Sequence, residues 1–394
     1  MLPCKAIQYY DYNSEMMRRL TKKMIAEGTA ELKRTEISSN ETRKYLTLVT
    51  YDKIPEETLE NVPEILLEYY QEVVMPNRKR VQLGSQNIKN GKKEKKKKRR
   101  KTGEYSVSPQ LRILSNAECA IFAHAAGAGA YIDERPFLLD TTAMLNDGRM
   151  YYYSSVEMKD AQGGYQTLIA DEMTAAGERN KAIVGSRMNG VLISPNGTYF
   201  TMYVLGSKSI TWSKNGETNM KRHITNVMVQ HGLKSSGMEG AIFLYSGDKV
   251  LHAVLNQKPW PNRANSPLNV DMTYQAMYFI PQNRTGIRLV RAMCLPDWKH
   301  RMLSCVLDEK VIQAGNKEMD GFDPATRTFY DAFIVPDMVS LKIFRRRMEM
   351  SRNEDKYCII CFDYQEPFIR AEFQDFNVDI EVINTEQLLE TMGV

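Results

Sequence analysis

Two carboxylates and a lysine near the end of the chain have types and a spacing that could support hydrolysis. Pro336-Asp337 is followed by Glu354-Asp355-Lys356, which matches the loose pattern PD…(D/E)xK. Two or three carboxylates with a lysine can hold a divalent metal ion and activate water. Asp337, Glu354 and Lys356 are therefore the candidate catalytic residues of one reading. In the other reading, Asp337 caps a helix after a strand and residues 351–356 form a solvated loop.

The other combinations that could hold a metal or a cofactor are incomplete. Cys358 and Cys361 have the spacing of half a zinc site, but no second pair or histidine cluster accompanies them. Residues three apart in a strand point to opposite faces, so we interpret both as buried thiols. Gly206–Ser209 (GSKS) lacks the Gly-Lys pair and the upstream glycine of a phosphate-binding loop. We therefore expect no cofactor, no metal and, in the preferred reading, no catalytic residue.

Positive charge is concentrated between Arg78 and Lys101. These 24 residues hold 13 of the 53 basic side chains and one acid, which leaves 40 basic and 47 acidic side chains elsewhere. Like charges repel each other into an extended, solvated segment. Such a segment suits a polyanion, because each neutralised phosphate releases counterions. The candidate nucleic-acid-binding residues are Arg78, Lys79, Arg80, Lys92, Lys93, Lys95, Lys96, Lys97, Lys98, Arg99, Arg100 and Lys101. A plain solvated linker and a nuclear-localisation signal are the alternatives.

Composition and length indicate a globular protein with more than one domain. A hydrophobic content of 43% and a charged content of 26% are ordinary for soluble proteins, and 394 residues allow two or three cores. No apolar run approaches the length of a membrane span, and the start lacks a signal-peptide pattern. The six cysteines are too few and too scattered for a disulfide framework. These features predict a cytoplasmic protein with no membrane partner.

Residues 1–77 are predicted to form a helical, winged-helix-like or helix-turn-helix module. Apolar residues recur at helical spacing in Glu15–Glu27, and Gly28 stops the run. Ser and Asn before Glu41 favour a second helix over 41–50, and residues 56–74 form a third. Three short helices beside a basic linker (78–103) suit a module that places one helix in the major groove of DNA. Helical trios without this function are equally common, so both readings stay open.

Residues 104–250 are predicted to form a helix and a mixed β-sheet core. An Ala-rich helix begins near Ser115, and strands 187–194 and 198–205 flank an Asn-Gly pair that predicts a hairpin. Residues 207–212 add a third strand. A helix over 217–230 then leads to a strand over 240–245. Tyr151–Tyr153 either enters this core as an aromatic strand or stacks on unpaired bases.

The resulting αβββαβ order resembles the core of restriction-endonuclease-like nucleases. Strands 187–194 and 198–205 carry no Asp or Glu, although the chemistry requires carboxylates there. Glu217 stands at the predicted helix start, where a carboxylate favours the helix dipole. We therefore predict a degenerate core without nuclease activity.

Residues 251–394 are predicted to form a small α/β domain with a parallel βαβαβα arrangement. Three near-continuous apolar runs alternate with helices, which is typical of parallel strands covered on both faces. The order is strand 329–335, helix 338–350, strand 357–362, helix 366–373, strand 378–383 and helix 385–392. Basic residues in the first of these helices suit either a phosphate-facing surface or the helix dipole. They are Lys342, Arg345, Arg346 and Arg347.

Two strings in the second half of the chain resemble mobile-element proteins. Tyr152–Lys159 (YYSSVEMK) with Gly185–Ile193 (GSRMNGVLI), and Ile359–Gln365 (IICFDYQ), are similar to proteins of the replication-relaxation group from Gram-positive conjugative and plasmid elements. That resemblance implies winged-helix DNA binding, a nuclease-like core and a role in replication or mobilisation. It transfers no catalytic residue, because the carboxylates of the core are absent here.

Together these patterns predict an α+β protein that binds duplex DNA without catalysis. Its C-terminal half would recruit a partner such as a relaxase or a replication protein. The competing predictions are a metal-dependent nuclease that uses Asp337, Glu354 and Lys356, and a structural scaffold in which the basic run is only a linker.

Overall fold

The protein is α+β, with ten helices and several small sheets among the residues that the structure describes. The structure is a computed structural model. It describes residues 2–3, 14–28, 30–38, 41–48, 109–131, 134–135, 149–160, 186–194, 197–205, 211–212, 217–222, 225, 238–256, 266–267, 274–316, 319–350 and 355–394. The chain divides into two compact units, residues 15–107 and residues 108–394 with 2–14. None of the helices in these ranges has the length and apolar character needed to cross a bilayer.

The described residues of the first unit form a helix and a β-hairpin. Helix α1 (Ser14–Ala26) is the first predicted helix. The second predicted helix, 41–50, is wrong, because Glu41–Leu48 is strand β3, antiparallel to β2 (Ala30–Ser38). Thr42, Tyr45 and Thr47 in β3 favour a strand. The third predicted helix, 56–74, and the basic linker lie outside the described residues. A short strand β1 (Leu2–Pro3) precedes α1.

The second unit is built on a central sheet with strand order β10-β8-β6-β5-β4. Strands β4 (Tyr151–Ser154), β5 (Gly190–Ser194) and β6 (Gly197–Leu205) form an antiparallel meander. Strands β8 (Met238–Tyr245) and β10 (Ala276–Pro281) continue the sheet parallel to β6. The predicted hairpin is confirmed, with Ser194 opposite Gly197. Of the predicted strand 207–212, the described part is the two-residue β7 (Thr211–Trp212), which pairs with β9 (Ser266–Pro267).

Helices cover both faces of the central sheet because its side chains alternate between two buried clusters. One face contributes Leu192, Ile242 and Leu244 and packs on the Ala-rich helix α2 (Pro109–Ala125) and on α5 (Arg284–Met293). The other face contributes Val191, Phe243 and Phe279 and packs on α4 (Lys249–Leu255) and on the helical residues 217–222. Helix α3 (Ser155–Asp160) follows β4 directly. The predicted boundary at residue 250 falls inside α4 of this unit.

A second sheet has strand order β11-β12-β13-β14. Its bounds are β11 (Gly321–Asp323), β12 (Thr328–Ala332), β13 (Lys356–Phe362) and β14 (Asp379–Ile383). Strands β12, β13 and β14 are mutually parallel, as predicted, and β11 runs antiparallel at one edge. Helices α8 (Met338–Glu349) and α9 (Glu366–Phe373) cover one face, and α10 (Thr385–Thr391) covers the other.

The two sheets share one interior. Both buried clusters contain residues of the central sheet and of the second sheet. The backbone joins them directly, since Phe279 N–H of β10 donates to Pro336 O, which lies just before α8 (2.9 Å). Helices α6 (Trp298–Ser304) and α7 (Glu309–Gln313) connect β10 and α5 to the second sheet. This junction is where most of the buried carboxylates lie.

Candidate functional site

Asp337, the first residue of the candidate catalytic trio, lies between β12 and α8. Its Oδ1 accepts hydrogen bonds from the backbone N–H groups of Val339 (3.0 Å) and Met277 (2.9 Å). The first bond caps α8, and the second ties the start of that helix to β10. Burial raises the pKa of the Asp337 carboxyl, and the two N–H donors oppose the shift. The capping role considered for Asp337 is confirmed.

Lys356, the last residue of the trio, lies at the other end of the strand pair. It opens β13 opposite Thr328, the first residue of the parallel strand β12, and its side chain is exposed. Asp337 follows the far end of β12 beyond Ala332. Four strand steps of about 3.3 Å each separate Thr328 from Ala332, so the two ends are on the order of 13 Å apart. The fold does not bring Asp337 and Lys356 together, and Glu354 lies outside the described residues.

Asp337 instead belongs to a group that the sequence did not indicate, defined here as the buried carboxylate group: Asp320, Asp331 and Asp337, with Lys299 beside them. Asp320 Oδ1 lies 2.8 Å from Lys299 Nζ, and its Oδ2 accepts from the Ala332 N–H (3.0 Å). Asp331, on β12, accepts from Ser340 Oγ of α8 (3.0 Å). All three carboxylates are at most 8% exposed. Together they fasten α6, β12 and α8 to the central sheet.

The electrostatics of this group follow from burial. Burial raises the pKa of Asp331 well above its usual range, and the neighbouring Asp320 charge adds to the rise. For Lys299, burial alone would lower the pKa, but Asp320 and the other carboxylates outweigh it and the pKa is raised. One ammonium therefore compensates a group of three carboxyls, and Asp331 is the carboxyl most strongly driven toward its protonated form.

The chemistry open to the buried carboxylate group is limited by its contacts. Each carboxylate already accepts a hydrogen bond from the fold, and no group of three His, Cys, Asp or Glu residues that could hold a metal occurs within the ranges described. The arrangement fits a structural role. The signal that could have indicated it is Asp331 inside the apolar run FYDAFIV, because a charge inside a buried strand requires partners.

A second polar group lies where β5 begins in the central sheet. Glu217, fully buried, accepts from Ser186 Oγ (2.9 Å) and from the Arg187 N–H (2.6 Å). Asn189 Nδ2 donates to Asn116 Oδ1 of α2 (2.6 Å). Glu217 is the first residue of the helical stretch 217–222, as expected for a carboxylate that favours the helix dipole. Its hydrogen bonds to residues 186–187 give it a second role, in holding the chain that enters β5.

The tyrosine and cysteine motifs belong to the core. Tyr151–Tyr153 forms most of β4, and all three side chains are buried, which confirms the core-strand alternative. Cys358 and Cys361 lie in different buried clusters, on opposite faces of β13, as expected for residues three apart. Burial raises the pKa of each thiol to about 12. These thiols are therefore unreactive at neutral pH.

Arg345 and Arg347, two of the four basic residues of α8, have partners within the fold. Arg345 Nη1 donates to Asn256 Oδ1 (3.0 Å) and lies 3.3 Å from Glu372 Oε2. The Arg347 guanidinium lies over the Phe329 ring, 4.2 Å from its centroid. Arg346 is exposed. The candidate nucleic-acid-binding residues, Arg78 to Lys101, all lie outside the described residues.

Comparison with known proteins adds no relative. A scan against protein-family models finds no match. Searches of curated proteins and of solved structures likewise find no match.

Proposed function

We propose that this chain is a non-enzymatic DNA-binding protein that acts in the replication or mobilisation of a mobile genetic element. The observation that carries the proposal is the confinement of charge: 13 basic residues and one acid between Arg78 and Lys101, against 40 basic and 47 acidic residues elsewhere. A segment of this density attracts duplex DNA through counterion release, without a fixed geometry. The rest of the chain carries a net negative charge and is expected to bind DNA poorly by itself.

Two modules support the proposal. Helix α1 followed by the β2–β3 hairpin is compatible with a winged-helix-like module beside the basic segment. From residue 109 onward, the described part of the second unit has the order α2, β4, α3, β5, β6, β7, the helical residues 217–222 and β8. Apart from the inserted α3 and the separate pairing of β7 with β9, this order is compatible with a degenerate nuclease-like core. Strands β5 and β6 contain no Asp or Glu, so the core lacks the carboxylates that hydrolysis would need on them. The C-terminal half would then recruit a relaxase or replication protein in the cytoplasm.

A gel-shift titration tests the DNA-binding proposal directly. The purified chain is titrated against duplex and single-stranded DNA of equal length at two salt concentrations. We expect binding to duplex DNA that weakens steeply as salt rises. Absence of binding to either nucleic acid in dilute buffer would contradict the proposal.

A cleavage assay tests the competing nuclease proposal. Supercoiled plasmid is incubated with the protein and magnesium or manganese, and no nicking or linearisation is expected. Metal-dependent cleavage that is lost in Glu217→Ala, or in Asp337→Asn and Lys356→Ala, would replace the non-enzymatic proposal with a nuclease.

A further inference from the structure

The edge strands of the two sheets differ in whether other backbone or side-chain groups pair with their outer side. At one edge of the central sheet, Gly129 covers β4: Gly129 N–H donates to Met150 O and Tyr152 N–H donates to Gly129 O (2.9 Å each). At the other edge, residues 336–337 cover β10 through the Phe279 N–H and the Met277 N–H. Within the described residues, strand β14 of the second sheet has no comparable cover. Among the described residues, its backbone pairs with β13 and, through Ile383 O, with the Asp363 N–H.

An open edge presents a row of unpaired backbone N–H and C=O groups on alternate residues. Asp379, Glu381 and Val382 are exposed along β14, with Val382 at 37%. Asp379 and Glu381 are two residues apart and share one face of the strand. Burial raises the pKa of Cys358, and the charges of Glu381 and Asp379 add to the rise. Both carboxylates therefore lie beside the face of the sheet that Cys358 occupies.

The charge on this edge comes from Asp379 and Glu381, which form no ion pair among the described residues. Residues 363–394 contain eight acids and one base, and of these acids Glu366, Glu372 and Glu386 have basic partners in the fold. A second copy of the chain fits this edge poorly, because edge-to-edge pairing about a twofold axis would set acidic positions against acidic positions, which is destabilising. A strand with basic residues at alternate positions fits both the open backbone edge and its acidic side chains. Backbone pairing supplies affinity, and opposite charges supply selectivity.

We infer that the open edge of β14 binds an extended segment of a partner protein in which Lys or Arg alternates with apolar residues. The basic positions would lie opposite Asp379 and Glu381, and an apolar position would lie over Val382 on the other face. This inference deepens the recruitment part of the proposed function and names its surface. It does not depend on DNA binding, so either can fail alone.

Two synthetic peptides of equal charge test the inference. TKVKVKT can add a strand, whereas TKPKPKT cannot, because proline removes the backbone donors. The full-length chain, labelled peptide and low-salt buffer without DNA are used in a fluorescence-anisotropy titration. We expect TKVKVKT to bind at least about tenfold more tightly than TKPKPKT, and its binding to slow hydrogen exchange of the β14 amides. Equal affinities for the two peptides, or no binding, would overturn the inference, and the acidic residues would then only protect the edge from self-pairing.

Charge reversal at exposed positions locates the site. The double variant Asp379→Lys with Glu381→Lys should lose about tenfold in affinity for TKVKVKT, because like charges would then lie opposite each other on the paired strands. It should also prefer TEVEVET to TEPEPET, a comparison that cancels any attraction of acidic peptide to the basic segment. The matched control, Asp375→Lys with Glu390→Lys, makes the same charge change at exposed residues off the strand and should stay within about twofold of the parent protein. An equal loss in the control, or edge-to-edge dimerisation of the parent protein, would contradict the inference.

Discussion

Two charged regions of this chain differ in sign and in the roles we assign to them. The basic segment, residues 78–101, holds 13 basic residues and one acid. The buried carboxylate group places three acids around Lys299, and each acid accepts a hydrogen bond from the fold. We propose that the charge of the basic segment binds DNA, whereas the carboxylates of the buried group bind other parts of the fold. Substitutions in the two regions should therefore have separable effects.

The largest effect is expected from removing the basic segment's charge. Changing each residue of Lys95–Lys101 to Gln removes seven charges and should weaken duplex binding by at least about 100-fold at low salt, because the counterions released by phosphate contacts are lost. The free energy of unfolding of the chain should be unchanged. Fluorescence anisotropy with labelled duplex and a urea titration measure the two quantities.

A control variant separates this effect from a general loss of charge. Lys310→Gln, Arg346→Gln and Lys356→Gln remove three exposed basic residues from the folded unit. Per charge removed, this variant should lose far less affinity than the segment variant. An equal loss per charge would mean that DNA contacts the folded surface and that the basic segment has no special role.

Asp337→Ala should have the opposite effects on stability and on DNA affinity. It removes the cap of α8 and leaves the buried Met277 N–H without its acceptor, which should lower the free energy of unfolding by about 2–4 kcal/mol. Duplex affinity should not change. Asp337→Asn keeps an acceptor oxygen and should lose clearly less stability. A stable Asp337→Ala protein with reduced DNA affinity would contradict the expectation that the two regions act separately on stability and on DNA binding.

Lys299→Met should destabilise the protein more modestly. The substitution keeps the apolar stem but leaves the buried Asp320 carboxylate without its cation. About a third of the Lys299 side chain is exposed, so water replaces part of the lost interaction, and we expect a loss of roughly 2 kcal/mol. Urea unfolding at neutral pH measures the loss. Lys310→Met, at an exposed position on α7, is the matched control and should unfold like the parent protein.

The smallest effect concerns pH. Because the folded-state pKa of Asp331 is raised, the folded protein binds an extra proton, so its contribution to stability is present below the usual Asp pKa and is lost as pH rises through the folded value. Asp331→Asn removes this titration. It should therefore flatten the decline in stability that is expected as pH rises above about 4, the reference pKa of Asp. Urea titrations across that range compare the variant with the parent protein. An unchanged pH profile would mean that Asp331 is ionised in the folded state.

Local sequence pattern predicted the second sheet well and the first unit poorly. The run Cys358–Phe362 and the helices around it combine continuous apolar strands with clear helical periods, so local pattern and tertiary packing agree. In Glu41–Leu48 local pattern and tertiary packing disagree. Ser-Asn-Glu is typical of a helix N-terminus, but pairing with Ala30–Ser38 makes the segment a strand. The aromatic strand at Tyr151–Tyr153 was predicted, but its pairing with β5 was not, because more than thirty residues of chain separate the two strands.

The candidate site also contains one feature that the local sequence predicts and one that it does not. The cap at Asp337 could be predicted, because a helix cap depends on residues next to it in the chain. The association of Lys299 with Asp320 and Asp331 could not, because it depends on how α6 packs beside β12. The match of Asp337 and Lys356 to a nuclease pattern had a similar limit: spacing along the chain does not reveal that parallel strands place the two residues at opposite ends.

The salt dependence of duplex binding tests the central claim most directly. The association constant of the intact chain is measured at several salt concentrations between about 50 and 200 mM, and the slope of log K against log salt is taken. A basic segment that engages phosphates predicts a slope of about −5 or steeper, equivalent to roughly six contacts. A slope shallower than about −1, or no binding at the lowest salt, would contradict the account.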